Sequence, residues 1–173
     1  MIMLTDKMEK AINGQINAEL YSAYMYAAMS MYFESVDMSG AAVWMNSQAM
    51  EEVEHAKKFM DYVNERGGRV ILEAIERPPM EWESIQDAFE AALAHEEKVS
   101  SLINDLVQLA REENDYMTDN FLQWFVAEQV EEEASVGEVV RKLKLAGDSG
   151  GGIFMIDNEL GRRGSGSESE SGE

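Results

Sequence analysis

Residues 48–62, QAMEEVEHAKKFMDY, place a carboxylate and an imidazole where a helix is otherwise apolar. Glu52 and His55 are three apart, and apolar residues continue the same stripe at steps of three and four on either side. On a helix the two side chains therefore lie on one inward face, one turn from each other. Burying a carboxylate without a partner is costly, so a compensating charge is required. A divalent metal ion is the simplest candidate.

Glu-x-x-His is the spacing with which dinuclear carboxylate four-helix bundles hold metal. One copy is weak evidence in a chain rich in glutamate, but three further stretches repeat the pattern of an apolar stripe interrupted near its midpoint. The four stripes cover residues 12–33, 45–62, 85–110 and 122–143. The interrupting residues are Glu19, Glu52, His55, Glu96, Gln129 and Glu132. Because packed helices of similar length bring their midpoints to one level, we expect this set to converge on one layer.

Four of these six side chains are carboxylates with a total charge of −4, whereas His55 and Gln129 can stay neutral. Two divalent cations balance that charge. Oxygen ligands with one imidazole suit iron or manganese, and zinc can also occupy such a site. The alternative, unrelated polar residues in the core or facing solvent, explains one or two interruptions but explains all four at matched depth poorly.

The elements that position this layer follow from periodicity and capping signals. Helices are predicted over residues 5–34, 40–66, 85–110, 115–146 and, shorter, 153–160. Residues 69–83 lack a helical period and contain a Pro-Pro pair. About 15 extended residues reach roughly 50 Å, further than the roughly 40 Å of the second helix, so the third helix can start parallel to the second. The predicted fold class is all-α, a four-helix bundle with a long crossover between the second and third helices and a short fifth C-terminal helix.

The segments outside the long helices carry expectations of their own. The crossover is expected to dock on the bundle through its apolar side chains, Val70, Ile71, Leu72 and Ile75. Residues 147–152 are expected to form a hinge. Residues 1–160 then form one domain, and residues 161–173, rich in Gly, Ser and Glu, are expected to be disordered.

Composition narrows the class of protein. The 173 residues suit one domain, and 34 acidic against 14 basic residues give a formal net charge of −20. That charge argues against nucleic acid and against anionic membrane surfaces as partners. The chain has no cysteine, its start lacks the order of a signal peptide, and no apolar run approaches the roughly 20 residues of a membrane span. We expect a soluble cytoplasmic protein.

With these residues in view, the chain resembles the bacterial and archaeal non-haem ferritins over roughly residues 5–160. The similarity is strongest in QINAELYSAYMY around Glu19, EEVEH around Glu52 and His55, and HEE around Glu96. It continues in NFLQWFVAEQVEEE and in LAGDSGGGIFMIDNEL, which is similar to the end of the family's bundle and its short last helix. A ferritin-like bundle is the fold that this resemblance implies.

The resemblance implies a role for each site residue. One iron would be held by Glu19, Glu52 and His55, with Glu52 bridging to a second iron. Glu96 and Glu132 would hold that second iron, with Gln129 close by. A third iron site would use Glu51, Glu128 and Glu131 and share Glu132, and the alternative explanation for these three acids is a solvated acidic face. Tyr26 matches the family's tyrosine beside the centre, as an electron or proton donor or as core packing. Glu52 and Tyr26 are thus the candidate catalytic residues.

The function implied by the resemblance is iron storage with ferroxidase activity. Fe(II) and O2 would be the substrates, Fe(III) would be stored as a mineral, and the chain would assemble into a homo-oligomeric shell of 24 subunits with octahedral or tetrahedral packing. The alternatives are a haem-containing bacterioferritin, a rubrerythrin-like di-iron peroxidase and a non-catalytic metal buffer. Haem is not expected, because Val53 follows Glu52 where bacterioferritins carry a methionine. The fourth helix also offers Gln129-x-x-Glu132 instead of a second Glu-x-x-His.

Overall fold

The computed structural model describes residues 3–163 and contains five helices and no strand within that range. The helices are α1 (Asp6–Ser35), α2 (Ser39–Glu65), α3 (Ile85–Glu112), α4 (Tyr116–Ala146) and α5 (Gly150–Arg163). The all-α prediction is confirmed, and the four long helices begin and end close to their predicted bounds. None of the described helices combines the length and the apolar character needed to cross a membrane.

Three of the long helices begin where a side chain caps the free backbone N–H groups. Thr5 accepts a hydrogen bond from the N–H of Met8 at 3.2 Å, and Ser84 accepts one from the N–H of Asp87 at 3.0 Å. Asp115 does the same for Thr118 at 3.1 Å. Such caps stabilise a helix start by about 1 kcal/mol each. They therefore define where three of the four long helices start.

The connections fix the directions of the four long helices. Three residues join α1 to α2 and three join α3 to α4, and turns this short make each pair antiparallel. Asp37 and Asn114 adopt positive φ values of 60° and 56° in these turns. Along α2 and α4, contacts run from Gln48–Glu132 to Tyr62–Thr118, so these two helices are antiparallel as well. It follows that α2 and α3 are parallel, as the long crossover predicts.

The core is divided into two apolar clusters with a polar layer between them. One cluster holds the end of α1 with Trp44, Phe89 and Val139, and the other holds the start of α1 with Phe59 and Leu122. Every position of the four predicted stripes that carries a metal-ligand candidate or an apolar side chain is buried. The polar residues that interrupt the stripes therefore lie at one level, enclosed above and below by apolar packing.

The crossover docks on α1, and of the four apolar side chains that the sequence indicated Val70 is partly buried and packs against the core. Ile71, Leu72 and Ile75 are exposed, at 51%, 64% and 39%, so the prediction of an apolar contact is wrong for them. Asparagines of α1, together with Tyr32 near its end, hold the crossover backbone instead. Asn13 donates to the carbonyl of Arg69 at 2.9 Å and accepts from the N–H of Ile71 at 2.7 Å.

Helix α5 closes one end of the bundle by capping α2. The carboxylate of Asp157 accepts hydrogen bonds from the N–H groups of Gly40 and Ala41, at 3.2 and 2.8 Å. The backbones approach so closely there that a Cβ atom on Gly40 would lie 1.7 Å from the carbonyl oxygen of Asp157. Helix α5 begins at Gly150, inside the predicted hinge, and runs to Arg163, three residues past the predicted domain end. The predicted disorder of residues 164–173 lies outside the described residues.

Candidate metal centre

The structure brings the six interrupting residues into the polar layer, where each is at most 7% exposed. Glu19 comes from α1, Glu52 and His55 from α2, Glu96 from α3, and Gln129 and Glu132 from α4. The potential ligand atoms of Glu19, Glu52 and His55 all lie within 4.8 Å of one another. That separation lets a single cation contact three protein ligands.

Glu19 has one satisfied and one unsatisfied oxygen. Gln15 donates to its Oε1 at 2.8 Å, whereas among the described residues Oε2 has no hydrogen-bond partner although it is fully buried. Burial, followed by repulsion from Glu52, raises the pKa of the Glu19 carboxyl well above its ordinary value. An unpaired buried carboxylate oxygen is unfavourable by itself. A divalent cation beside Oε2 removes both problems, so this donor set fits a metal ion.

Glu52 lies between the two halves of the centre. Its Oε2 is 3.3 Å from Nδ1 of His55, and it interacts with Glu19 on one side and with Glu96 and Glu132 on the other. Burial, followed by repulsion from Glu96, raises the pKa of Glu52 well above its ordinary value. A carboxylate in this central position can bridge two cations.

Neutral donors orient the carboxylate of Glu96. Tyr26 donates to Oε1 at 2.5 Å, and Nε2 of Gln129 lies 3.2 Å from Oε2. Burial raises the pKa of Glu96, and these two hydrogen bonds oppose the rise. Burial, then repulsion from Glu96, also raises the pKa of Tyr26 well above its ordinary value, so its hydroxyl keeps its proton at neutral pH.

Glu132 completes the layer from α4. It accepts a hydrogen bond from Gln48 at 2.7 Å, while burial and then repulsion from Glu96 and Glu51 raise its pKa from 4.5 to about 7. Its oxygen, one from Glu128 and a ring nitrogen of His55 form a second set within 4.8 Å. The described residues thus offer two overlapping ligand sets that share His55.

The three residues expected at a third iron site differ in burial and in their distance from the other ligands. Glu128 is half-buried and joins His55 and Glu132. Glu51 is exposed, but it lies near enough to raise the pKa of both Glu52 and Glu132. Glu131 is exposed, and neither of the two ligand sets among the described residues contains it. The third site stays a prediction.

An open cleft bounded by α1, α2 and α4 leads from His55 to the surface. The cleft has a volume of about 750 Å³, and its lining includes His55, Glu51, Glu54, Lys58 and Glu128. Trp124 forms part of its wall, with its ring centroid 5.5 Å from that of His55. The acidic lining favours cations over anions along this path.

Sequence reasoning missed the polar side chains that surround the ligands. Gln15 and Gln48 donate to Glu19 and Glu132, and both stand four residues before a ligand candidate on the same helix face. A buried glutamine one turn from a buried glutamate is a usable signal for such a donor. The link between Gln129 and Ser100 crosses from α4 to α3 and has no such local signature.

A buried layer with carboxylates from all four helices is the arrangement of the metal-binding carboxylate four-helix bundles. The family model for the ferritin-like domain matches residues 9–146. The "Bacterial non-heme ferritin" of Bacteroides fragilis is 45% identical over 161 residues, covering 93% of this chain and all of that protein. A "Probable bacterial non-heme ferritin-like protein" of Haemophilus influenzae is 39% identical over 159 residues, covering 92% and 96% of the two chains.

A solved structure gives the same result for the fold. The "novel open pore ferritin" of the hyperthermophilic archaeon Archaeoglobus fulgidus superposes with a TM-score of 0.91 at 50% identity, covering 91% of this chain and 98% of that one. The chain belongs to the ferritin family. Its function is therefore iron storage. The haem-binding and rubrerythrin-like alternatives are not favoured, because both bacterial relatives are named non-heme ferritins.

Proposed function

We propose that the chain oxidises Fe(II) with O2 at the buried carboxylate layer and stores the Fe(III) as a mineral inside an oligomeric shell. The observation that carries this proposal is the unpartnered buried oxygen of Glu19 within a group of three potential ligands less than 5 Å apart. A purely structural polar layer would be expected to satisfy that oxygen.

The charge of the layer supports two iron ions per chain. Glu19, Glu52, Glu96 and Glu132 together carry −4 when ionised, and two Fe(II) ions balance them. We assign the first iron to Glu19, Glu52 and His55. Because Glu52 interacts with both halves of the layer, it is the bridging ligand. Glu96 and Glu132 then hold the second iron, and Glu128 can hold an ion on its way in or out.

The protein groups prepare the layer for oxidation of bound Fe(II). Raised carboxyl pKa values mean that iron binding displaces protons, which leave the layer as the ligands ionise. Two Fe(II) ions supply two electrons, which reduce one O2 to the level of hydrogen peroxide. The Tyr26 hydroxyl keeps Glu96 oriented and is the candidate electron or proton donor.

An oligomeric shell is expected of this family, and an exposed face supports it here. A groove of about 670 Å³ between α1 and the crossover is lined by Tyr24, Met31, Val36 and Met80, each more than 40% exposed. Exposed apolar side chains grouped on one face favour coverage by a second copy. We propose 24 subunits per shell. The proposed compartment is the cytoplasm, which suits a chain without cysteine.

The test is aerobic addition of two Fe(II) per subunit to the metal-free protein. Fast growth of ferric absorbance with iron retained through gel filtration supports the proposal. Oxidation at the rate of the protein-free buffer, with iron retained, would leave a metal buffer instead. Particle mass measured on the same sample tests the 24-subunit shell.

A further inference from the structure

A groove between α3 and α4 includes Gln129 of the polar layer in its lining. It has a volume of about 460 Å³, and Ser100, Gln129 and Glu133 are among its lining residues. Ser100 donates a short hydrogen bond to the carboxylate of Glu133. Nε2 of Gln129 lies 3.2 Å from the Ser100 hydroxyl, 3.2 Å from the Glu96 carbonyl oxygen and 3.2 Å from Glu96 Oε2.

The direction of these hydrogen bonds is determined by which groups can donate. An ionised carboxylate only accepts, so Glu133 takes the single hydroxyl proton of Ser100. The Ser100 oxygen is then left as an acceptor toward Gln129. The carbonyl and Oε2 of Glu96 are acceptors too. Three acceptors around one end of the amide require that end to be the NH2 group, since a flipped amide would face them with its oxygen.

We propose that Ser100 and Glu133 are positioning residues that fix the amide orientation of Gln129 and, through it, the carboxylate of Glu96. With this orientation Gln129 holds Oε2 of Glu96, while Tyr26 holds Oε1. Both oxygens of Glu96 keep a fixed direction toward the second metal position. We call the hydrogen-bonded series from Glu133 through Ser100 to Gln129 the relay. The metal position beside Glu19 has no contact with this relay. The second metal position that the relay orients is the one assigned under the proposed function, and the consequence for iron oxidation rests on the same proposal.

The two metal positions should therefore respond differently when the relay is broken. Glu133→Gln supplies an NH2 group that can donate to Ser100, which turns the Ser100 proton toward Gln129 and removes one of the three acceptors that hold the Gln129 NH2 group. Ser100→Ala removes the relay oxygen altogether. In each variant the second metal ion should bind about fivefold more weakly, as expected from the loss of one neutral hydrogen bond. The first ion should bind as in the wild type.

The experiment is an anaerobic titration of the assembled, metal-free protein with Co(II), followed by the visible absorbance of the bound ion. Ser100→Thr retains the hydroxyl and should restore wild-type binding of both ions. Glu138→Gln removes one charge from the same helix at the surface, away from the relay, and should also match the wild type. Thermal unfolding of each variant separates a positioning role from a loss of folding.

Three outcomes would overturn the proposal. The first is wild-type binding of both Co(II) ions by Ser100→Ala and Glu133→Gln. The second is equal weakening of both ions together with a lower unfolding temperature, which would indicate a merely structural role. The third is a wild type that binds one ion only, because there is then no second position to orient. Two Co(II) ions bound by a wild type that fails to oxidise Fe(II) would instead refute the ferroxidase proposal and leave the relay intact.

Discussion

Replacing Glu132 by Gln should stabilise the metal-free protein while weakening its metal binding. Glu132 is almost fully buried, and burial with repulsion from Glu96 raises its pKa from 4.5 to about 7. Because the folded-state pKa is the higher one, its contribution to stability is complete below pH 4.5 and is lost as pH rises toward and past 7. A neutral glutamine of the same shape removes that loss and can still accept the hydrogen bond from Gln48.

The pKa shift of Glu132 gives the size of the expected change in stability. A rise from 4.5 to about 7 corresponds to about 3 kcal/mol at pH 8 and to less than about 1 kcal/mol at pH 5. For a chain of this size, about 3 kcal/mol corresponds to a rise in unfolding temperature of roughly 6–12 °C. Metal-free Glu132→Gln should therefore unfold at a clearly higher temperature than the wild type at pH 8, with most of the difference gone at pH 5.

The assay is thermal unfolding by circular dichroism in the presence of a chelator at both pH values. Adding Zn(II) should reverse the order at pH 8, because the ion stabilises the wild type by binding ionised Glu132 and stabilises the variant less. Equal unfolding temperatures of the two metal-free proteins at pH 8 would refute the reasoning. A difference that does not shrink at pH 5 would do the same, since it could not come from ionisation of Glu132.

Three further substitutions test other parts of the structure. Glu52→Ala should abolish fast Fe(II) oxidation and leave the shell assembled, and stopped-flow oxidation at the wild-type rate would rule out a bridging role. Tyr26→Phe should slow oxidation about three- to tenfold by freeing Oε1 of Glu96, and an unchanged rate would leave Tyr26 as core packing. Gly40→Ala should cost about 1–3 kcal/mol because its Cβ collides with Asp157. The control is Gly14→Ala. A Cβ atom at Gly14 meets nothing within 4 Å, so this variant should unfold at a slightly higher temperature. Equal effects of the two substitutions would contradict the close contact between Gly40 and Asp157.

The sequence was sufficient for the bundle and for the residues of its central layer. Period 3.6 marks buried positions directly, so one carboxylate in each apolar stripe, such as Glu19 or Glu96, could be recognised without any tertiary information. The parallel arrangement of α2 and α3 followed from the length of the crossover alone. The helix starts at Thr5 and Ser84 followed from local capping chemistry.

The features that the sequence did not predict depend on contacts between distant parts of the chain. The crossover carries apolar residues such as Leu72 that remain exposed on the single chain, because α1 holds the crossover by its backbone, through side chains such as Asn13 and Tyr32. The bond from Ser100 to Gln129 joins two helices and has no signature in either one. Helix α5 starts at the first of three glycines that indicate a hinge, since its stability comes from packing and from the hydrogen bonds that its Asp157 accepts from the start of α2.

The measurement that tests the central claim most directly is the location of the bound ions by anomalous diffraction at the iron edge, from crystals soaked anaerobically with Fe(II). Two iron peaks are expected inside each four-helix bundle, one contacting Glu19, Glu52 and His55 and the other contacting Glu52, Glu96 and Glu132. A single peak in the layer, or iron confined to surface carboxylates, would contradict the proposed centre.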